Sequence, residues 1–282
     1  MRLRSLLFVP ADRPERFAKA AASGADAIIL DLEDSVSAAR KPLAREAVAA
    51  ALATSEPGVL RLVRINPIDA GMLADDVAAA RGADALMLPK AESIIAITAV
   101  QEAWGSGCPP ILPIATETPA AIFTLGDYGQ VAGDLCGLTW GAEDLPAAIG
   151  AATSREADGS YTAPYQMVRS LALFAAHAAG VAAIETVYPA LDDLDGLAAY
   201  AARGARDGFT GMMAIHPRQI ATINAAFTPD ATAIDAARKI VEAFAARPDR
   251  GAFQLDGRMI DAPHLKQARA ILARAGEGDG AG

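Results

Sequence analysis

The sequence predicts an α/β fold, a (β/α)8 TIM barrel with a C-terminal helical and hairpin extension. Three observations carry this: short runs rich in Val, Ile and Leu recur eight times, helical patterns lie between them, and the rhythm breaks only after Phe227. Such alternation marks βα units of a parallel sheet. Each run is nearly continuously apolar, as strands buried on both faces are. A doubly wound open sheet would alternate in the same way, but no Gly-x-Gly-x-x-Gly follows the first strand to favour it.

The eight runs are Ser5–Pro10, Ala27–Leu32, Val59–Ile65, Ala85–Pro89, Ile111–Ala115, Leu135–Trp140, Ala182–Tyr188 and Gly211–His216. Basic residues ahead of Leu6 give the first run the look of a secretory leader, but Asp12, Arg13, Glu15 and Arg16 interrupt it at once, so it reads as a strand. Next come helix signals: Asp12 with Glu15 three residues on fits a capping box, and Gly24 stands where a C-cap would. The long interval between the sixth and seventh runs holds Asp158-Gly159-Ser160, an excursion placed to overhang a site at the barrel mouth. Beyond Phe227, a helix over Ala231 to Ala246 leads to Phe253–Ile260, folded about Asp256-Gly257, which is a hairpin signal. A last amphipathic helix starts at Pro263, and the terminal GEGDGAG is expected to fray. The expected division is a catalytic barrel over 1–227 and an appended segment over 228–282.

With 52% hydrophobic and 21% charged residues, the 282-residue chain sits in the ordinary globular range. A net charge of −9 argues against nucleic acid as a partner, because its binders present a basic face. No stretch approaches the roughly 18 unbroken apolar residues of a membrane span, so no membrane is expected either. Cys108 and Cys136 offer neither a disulfide framework nor metal-ligand spacing, and a cytoplasmic location is the default expectation.

In a barrel of this kind chemistry sits at the C-terminal ends of the strands. There the chain carries Asp31, Glu33 and Asp34 after strand two, Arg64 and Asn66 after strand three, and Lys90 and Glu92 after strand four. Strand five ends in Glu117, and strand six in Glu143 and Asp144. Glu117-Thr118-Pro119 and Asp144-Leu145-Pro146 each place an acid two residues before a proline, which suits a first helical turn. Two carboxylates at matching positions on strands about 4.8 Å apart repel unless a cation intervenes. Oxygen donors without nearby His or Cys suit Mg2+, with Mn2+ a workable substitute, better than zinc. The same spacing equally fits acids that merely complement helix dipoles. Arg64 likewise reads as a salt bridge to Asp31 or Glu33. His177 and His264 read as surface or packing residues, Cys136 as core, and Trp140 as packing at the barrel mouth.

The motifs LLFVPADRPERFAKA, DLEDSV, RINP, LMLPKAES, ATETPAAI, TWGAEDL and MMAIHPRQI, in this order, resemble the citrate lyase β-subunit-like family. That family lies in the HpcH/HpaI aldolase superfamily with malyl-CoA, β-methylmalyl-CoA and citramalyl-CoA lyases, and the resemblance runs from Ser5 to about Leu272. It implies a Mg2+-dependent TIM barrel that cleaves a 3-hydroxyacyl-CoA to acetyl-CoA or propionyl-CoA plus a 2-oxo acid. By the same resemblance Glu117 and Asp144 are the metal ligands, and Arg64 is a catalytic residue that holds the oxo-acid oxygens. Phe8, Arg13 and Lys19 bind CoA, while Thr116, Glu143, Ile215 and His216 line the substrate pocket. Asp261, in DGRMIDAPHLKQA, is the catalytic acid–base reaching into a neighbouring subunit, with Asp256 a second choice. Its place two residues before Pro263 also suits an ordinary N-cap. The implied assembly is a homotrimer, or a dimer of trimers. The alternatives are a citrate lyase β subunit working on a carrier-bound citryl thioester, a CoA-independent pyruvate aldolase and a noncatalytic acyl-CoA-binding protein.

Overall fold

The computed structural model describes residues 1–54 and 58–277. Its apolar runs form the parallel strands β1 Ser5–Pro10, β2 Ala27–Asp31, β3 Leu60–Arg64, β4 Ala85–Leu88, β5 Ile111–Pro113, β6 Gly137–Thr139, β7 Ala182–Glu185 and β8 Gly211–Ala214. The helices that follow them are α1 Phe17–Ala21, α2 Lys41–Leu52, α3 Leu73–Ala79, α4 Ile94–Trp104, α5 Pro119–Ile122, α6 Asp144–Ile149, α7 Ala163–Ala179, α8 Leu194–Asp207 and α9 Ile220–Ala226.

Strands pair in the order β5-β4-β3-β2-β1-β8-β7-β6. Isolated parallel bridges, Ile111 to Leu135 and Ile114 to Thr139, join the two ends, so the sheet is a nearly closed barrel. The expected (β/α)8 architecture holds; β1 keeps its expected bounds and every later strand is shorter than its apolar run. The interior is filled by Leu6, Ile29, Leu62, Met87, Leu112, Ile184 and Met213. Side chains two apart on a strand point the same way. Phe8, Asp31 and Arg64 therefore face inward one layer above Leu6, Ile29 and Leu62, at the C-terminal mouth where barrels carry their chemistry.

Two local expectations fail for physical reasons. Asp12 caps no helix: the chain makes a 3-10 turn over Pro14–Arg16 without a side-chain cap. The Asp12 carboxylate instead accepts from Arg40 Nε at 2.6 Å, a charge-assisted bond that outcompetes neutral backbone donors. The two acid-x-Pro motifs are also not equivalent. Pro119 is the first residue of α5 with Thr118 as its cap, whereas Asp144 itself opens α6 and Pro146 lies two residues further in.

The excursion between β6 and β7 closes on itself through a bridge from Arg155 to Tyr161 around Gly159. Arg155 stacks on the Tyr161 ring at 4.1 Å, and its Nη2 comes within 4.0 Å of Glu143 Oε1. Among the described residues no helix is long and apolar enough to cross a membrane.

The chain divides into two compact units, Met1–Asn224 and Ala225–Gly282. In the second, α10 Ala231–Ala245 and α11 Ala262–Arg274 flank the antiparallel hairpin β9 Ala252–Leu255 and β10 Arg258–Asp261. Ala237, Ala268 and Leu272 seal one small core, and Ala243, Phe253 and Ile260 another. Asp256 and Gly257 both take positive φ, 49° and 80°, as a two-residue hairpin turn requires. The expected fraying of GEGDGAG falls mostly on residues 278–282, outside the described residues.

Candidate active site

A cavity of about 440 Å³ opens at the barrel mouth, lined by Phe8, Asp31, Arg64, Glu117, Glu143, Asp144 and Ile215 among others. Arg64 is fixed on one wall. Its register partner across β2 and β3 is Asp31, to which Nε and Nη2 donate at 2.6 and 2.7 Å. Nη1 lies 2.8 Å from Glu33 Oε2, and the guanidinium sits over the Phe8 ring at 4.8 Å. The expected salt bridge of Arg64 is therefore present, and the residue also lines the cavity. Burial would lift the Asp31 pKa, but the Arg64 bond and charge outweigh it and hold the carboxyl below its usual range.

Glu117 lines the same cavity and is buried. It caps no helix, because Thr118 accepts the first-turn N–H of α5. Its Oε2 accepts instead from the Lys90 backbone N–H at 2.7 Å. Burial first, then the charges of Asp144 and Glu33, push its pKa up to about 8, against the lowering effect of that one hydrogen bond. A carboxyl so placed stays protonated at neutral pH unless a cation takes the proton's place.

Gly141 makes the room Glu117 needs. A Cβ there would lie 2.7 Å from Glu117 Cγ and 3.0 Å from Oε1, closer than side chains tolerate. Thr116 holds Gly141 in place: its hydroxyl accepts from the Gly141 N–H at 3.1 Å and donates to the Gly141 carbonyl at 3.3 Å.

The donor set fits a hard divalent cation. Glu117 and Asp144 offer carboxylate oxygens beyond the ends of adjacent strands, and the electrostatic penalty on Glu117 is one that a cation would relieve. Among the described residues no three His, Cys, Asp or Glu side chains cluster tightly enough to hold a metal by themselves. Further coordination positions would fall to water or substrate, as Mg2+ prefers.

Glu143 N-caps α6 and Ile215 lines the cavity half-exposed. Thr116 and His216 do not line it. His216 caps a short turn, its Nδ1 accepting from the Arg218 N–H at 3.1 Å. Arg13 and Lys19 lie on the exposed turn and helix after β1, also outside the cavity lining. In the second unit Asp261 N-caps α11 in a capping box with His264, whose Nδ1 is 2.5 Å from Asp261 Oδ1. Trp140 is fully buried against Tyr161 and donates to Glu185 at 2.6 Å, so it is a packing residue.

Comparison with known proteins matches residues 4–217 to the HpcH/HpaI aldolase/citrate lyase family. This chain belongs to that family. A citrate lyase subunit beta-like protein of Mycobacterium tuberculosis is 41% identical, covering 96% of this chain and 95% of its own length. An L-malyl-CoA/beta-methylmalyl-CoA lyase of Cereibacter sphaeroides is 32% identical, with 96% and 94% covered. The crystal structure of CitE from M. tuberculosis in complex with magnesium, acetoacetate and coenzyme A superposes with a TM-score of 0.82 at 38% identity, over 98% of this chain and 99% of that one. The chain is accordingly an enzyme of the aldolase and citrate lyase family.

Within the family fold, Lys90 and Gly141 were given no role from sequence, and Glu33 only that of a partner for Arg64. Glu33 and Lys90 stand at strand ends, where polar residues in a barrel call for attention. Lys90 Nζ donates to Glu33 Oε1 at 2.7 Å and lies 3.6 Å from Asp144 Oδ1. Burial acts to lower the Lys90 pKa, but Glu33, Asp144 and Asp34 outweigh it and keep the ammonium charged. Gly141 had one available signal, a glycine directly after a strand, which often marks close approach of another group.

Proposed function

We propose that this enzyme is a Mg2+-dependent carbon–carbon lyase that cleaves a 3-hydroxyacyl-CoA of the malyl, methylmalyl or citramalyl type to acetyl-CoA or propionyl-CoA and a 2-oxo acid. The observation that carries the reading is that Glu117, Asp144 and Arg64 line one cavity at the barrel mouth. Mg2+ bound at that pair supplies a Lewis acid that lowers the pKa of the substrate hydroxyl.

Arg64 supplies orientation. Of the five N–H donors of a guanidinium, two are bonded to Asp31 while Nη1 is ion-paired with Glu33, and the N–H groups not committed to Asp31 are the candidates for the oxo-acid carboxylate. The two Asp31 bonds and the Glu33 ion pair keep the fork from rotating, so the remaining donors are preorganised. Cleavage of the C–C bond leaves its electron pair on the thioester α-carbon, and a carboxylic acid must protonate it. Asp261 of a neighbouring copy is the candidate; in synthesis the same carboxylate removes that proton, as microscopic reversibility requires. The assembly this implies is a homotrimer in which the second unit completes a neighbour's site. Arg13 and Lys19, exposed cations in an acidic chain, are the candidates for the CoA phosphates.

The reading is tested by supplying acetyl-CoA or propionyl-CoA, Mg2+ and glyoxylate, pyruvate or oxaloacetate, and following acyl-CoA condensation by mass. Glu117→Gln and Asp144→Asn abolish turnover in folded protein, and Asp261→Asn stops solvent exchange of the acetyl-CoA methyl protons. Full activity in either metal-site variant removes the metal assignment. Native exchange in Asp261→Asn reduces that residue to a helix cap. Release of free CoA thiol with no oxo acid formed or consumed replaces the lyase reading by thioester hydrolysis.

A further inference from the structure

Lys90 touches both acids of the proposed metal pair, by different parts of itself. Its backbone N–H donates to Glu117 Oε2 at 2.7 Å, and its ammonium stands 3.6 Å from Asp144 Oδ1. It does this from a left-handed backbone, φ +48°, which lysine rarely adopts. Among the described residues the only other non-glycine there is the hairpin turn residue Asp256. Residues held in sparsely populated backbone regions persist where their surroundings over-determine them, and they gather at functional sites. Here the surroundings are visible: Glu117 takes the N–H, and Glu33 takes the ammonium at 2.7 Å.

The two carboxylates that share the ammonium hold it unequally. Glu33 is at hydrogen-bond distance and is itself fixed by Arg64 Nη1 at 2.8 Å. Asp144 is at ion-pair distance only, and its side chain is about one-third exposed at the cavity. We propose that Lys90 is an internal counter-cation and positioning residue for the carboxylate pair. Without a divalent ion its ammonium neutralises Glu33 and Asp144 together. When the ion binds, Lys90 yields Asp144 to it and retires onto Glu33, while its left-handed N–H keeps Glu117 aimed. The inference rests on the reading that Glu117 and Asp144 hold Mg2+.

Its consequence runs against ordinary expectation for a charged residue in an active site: removing the lysine strengthens metal binding. The ammonium competes for Asp144 and repels a divalent cation a few ångströms away, so Lys90→Met is expected to bind Mg2+ about tenfold more tightly than the native enzyme. Isothermal titration of Mg2+ into metal-free protein reads this without reference to turnover. Lys90→Arg, which restores the charge, stays within about twofold of native affinity. The metal-free Lys90→Met protein melts below native, and Mg2+ raises its melting temperature by more than it raises the native one. Should Lys90→Met fail to fold, Lys90→Gly removes the same charge while accommodating the positive φ, and carries the same expected gain in affinity. Equal or weaker Mg2+ binding in the uncharged variants overturns the counter-cation role. Absence of Mg2+ binding by the native protein instead overturns the Glu117 and Asp144 metal site, so the two failures are distinguishable.

Discussion

Gly141→Ala is the sharpest test of how the cavity is built, because its effect is steric and local. The new methyl would lie 2.7 Å from Glu117 Cγ, whereas ordinary contact begins near 3.4 Å, so the Glu117 side chain must retreat by about 0.7 Å. It is buried and tethered through Oε2 to the Lys90 N–H, so the retreat strains or breaks that bond. Overpacking of a closed interior costs about 1–3 kcal/mol, and a midpoint near 2 kcal/mol is expected in urea denaturation with EDTA present. Gly141 does not need a positive φ, so backbone strain does not contaminate the result.

The three nearest atoms to the added methyl all belong to Glu117. In a Glu117→Ala background the obstruction is gone, and Gly141→Ala should cost close to nothing. The double-mutant cycle then shows a coupling of about 2 kcal/mol. The Gly141→Ala protein alone should lose about tenfold or more in Mg2+ affinity, since supporting groups around metal ligands contribute on that scale. Additivity within about 0.5 kcal/mol, together with native Mg2+ affinity, would refute the claim that Gly141 exists to seat Glu117.

Three further predictions concern the scaffold. Burial would raise the Asp26 pKa, but the Arg4 side-chain and backbone hydrogen bonds, with the charges of Arg4 and Arg2, hold it below the ordinary 3.8. The stability this adds is complete above the unfolded value and is lost as pH falls through the lower folded one; Asp26→Asn should therefore flatten the fall in melting temperature below about pH 4, and an unchanged profile rules the pair out. Glu185→Leu strips the buried Arg169 of bonds at 2.6 and 2.7 Å and orphans the Trp140 and Tyr200 donors, at an expected cost of about 3–5 kcal/mol in urea midpoint analysis; a loss under about 1 kcal/mol would mean the network is idle. In the hairpin, Gly257→Ala should speed amide exchange at Phe253 and Ile260 by forcing a side chain to φ 80°, at about 1–2 kcal/mol, while Asp256→Gly should not.

How far the sequence reached depended on whether a residue's role is local. The eight strands were legible because strands buried on both faces must be apolar throughout, and that constraint is written residue by residue. The Arg64 salt bridge was legible, since Asp31 ends the adjoining strand and Glu33 follows it in the loop. The shared acid-x-proline pattern pointed to two residues that both line the cavity, through an equivalence that does not exist. Pro119 opens α5, Pro146 sits inside α6, and Glu117 and Asp144 reach the cavity from different helical positions. Asp12 was misread because its partner, Arg40, lies 28 residues away and no pattern around Asp12 announces it.

What stayed hidden is the set of conditions that let Glu117 exist as a buried acid. Its environment raises the pKa to about 8, a state that is costly once the group ionises. Three residues, one of them next to Glu117 in the chain, make that state tolerable. Lys90 contributes an N–H through an unfavourable backbone angle, Gly141 contributes the absence of a side chain, and Thr116 pins Gly141 where that absence counts. None of these is chemically conspicuous in a linear sequence: a lysine, a glycine and a threonine at strand ends are common. They acquire meaning only through distances of 2.7 to 3.1 Å that the fold creates. Each imposes its own requirement on Glu117, so a cation site of this kind should fail stepwise in affinity as they are altered, well before the barrel that carries them loses its fold.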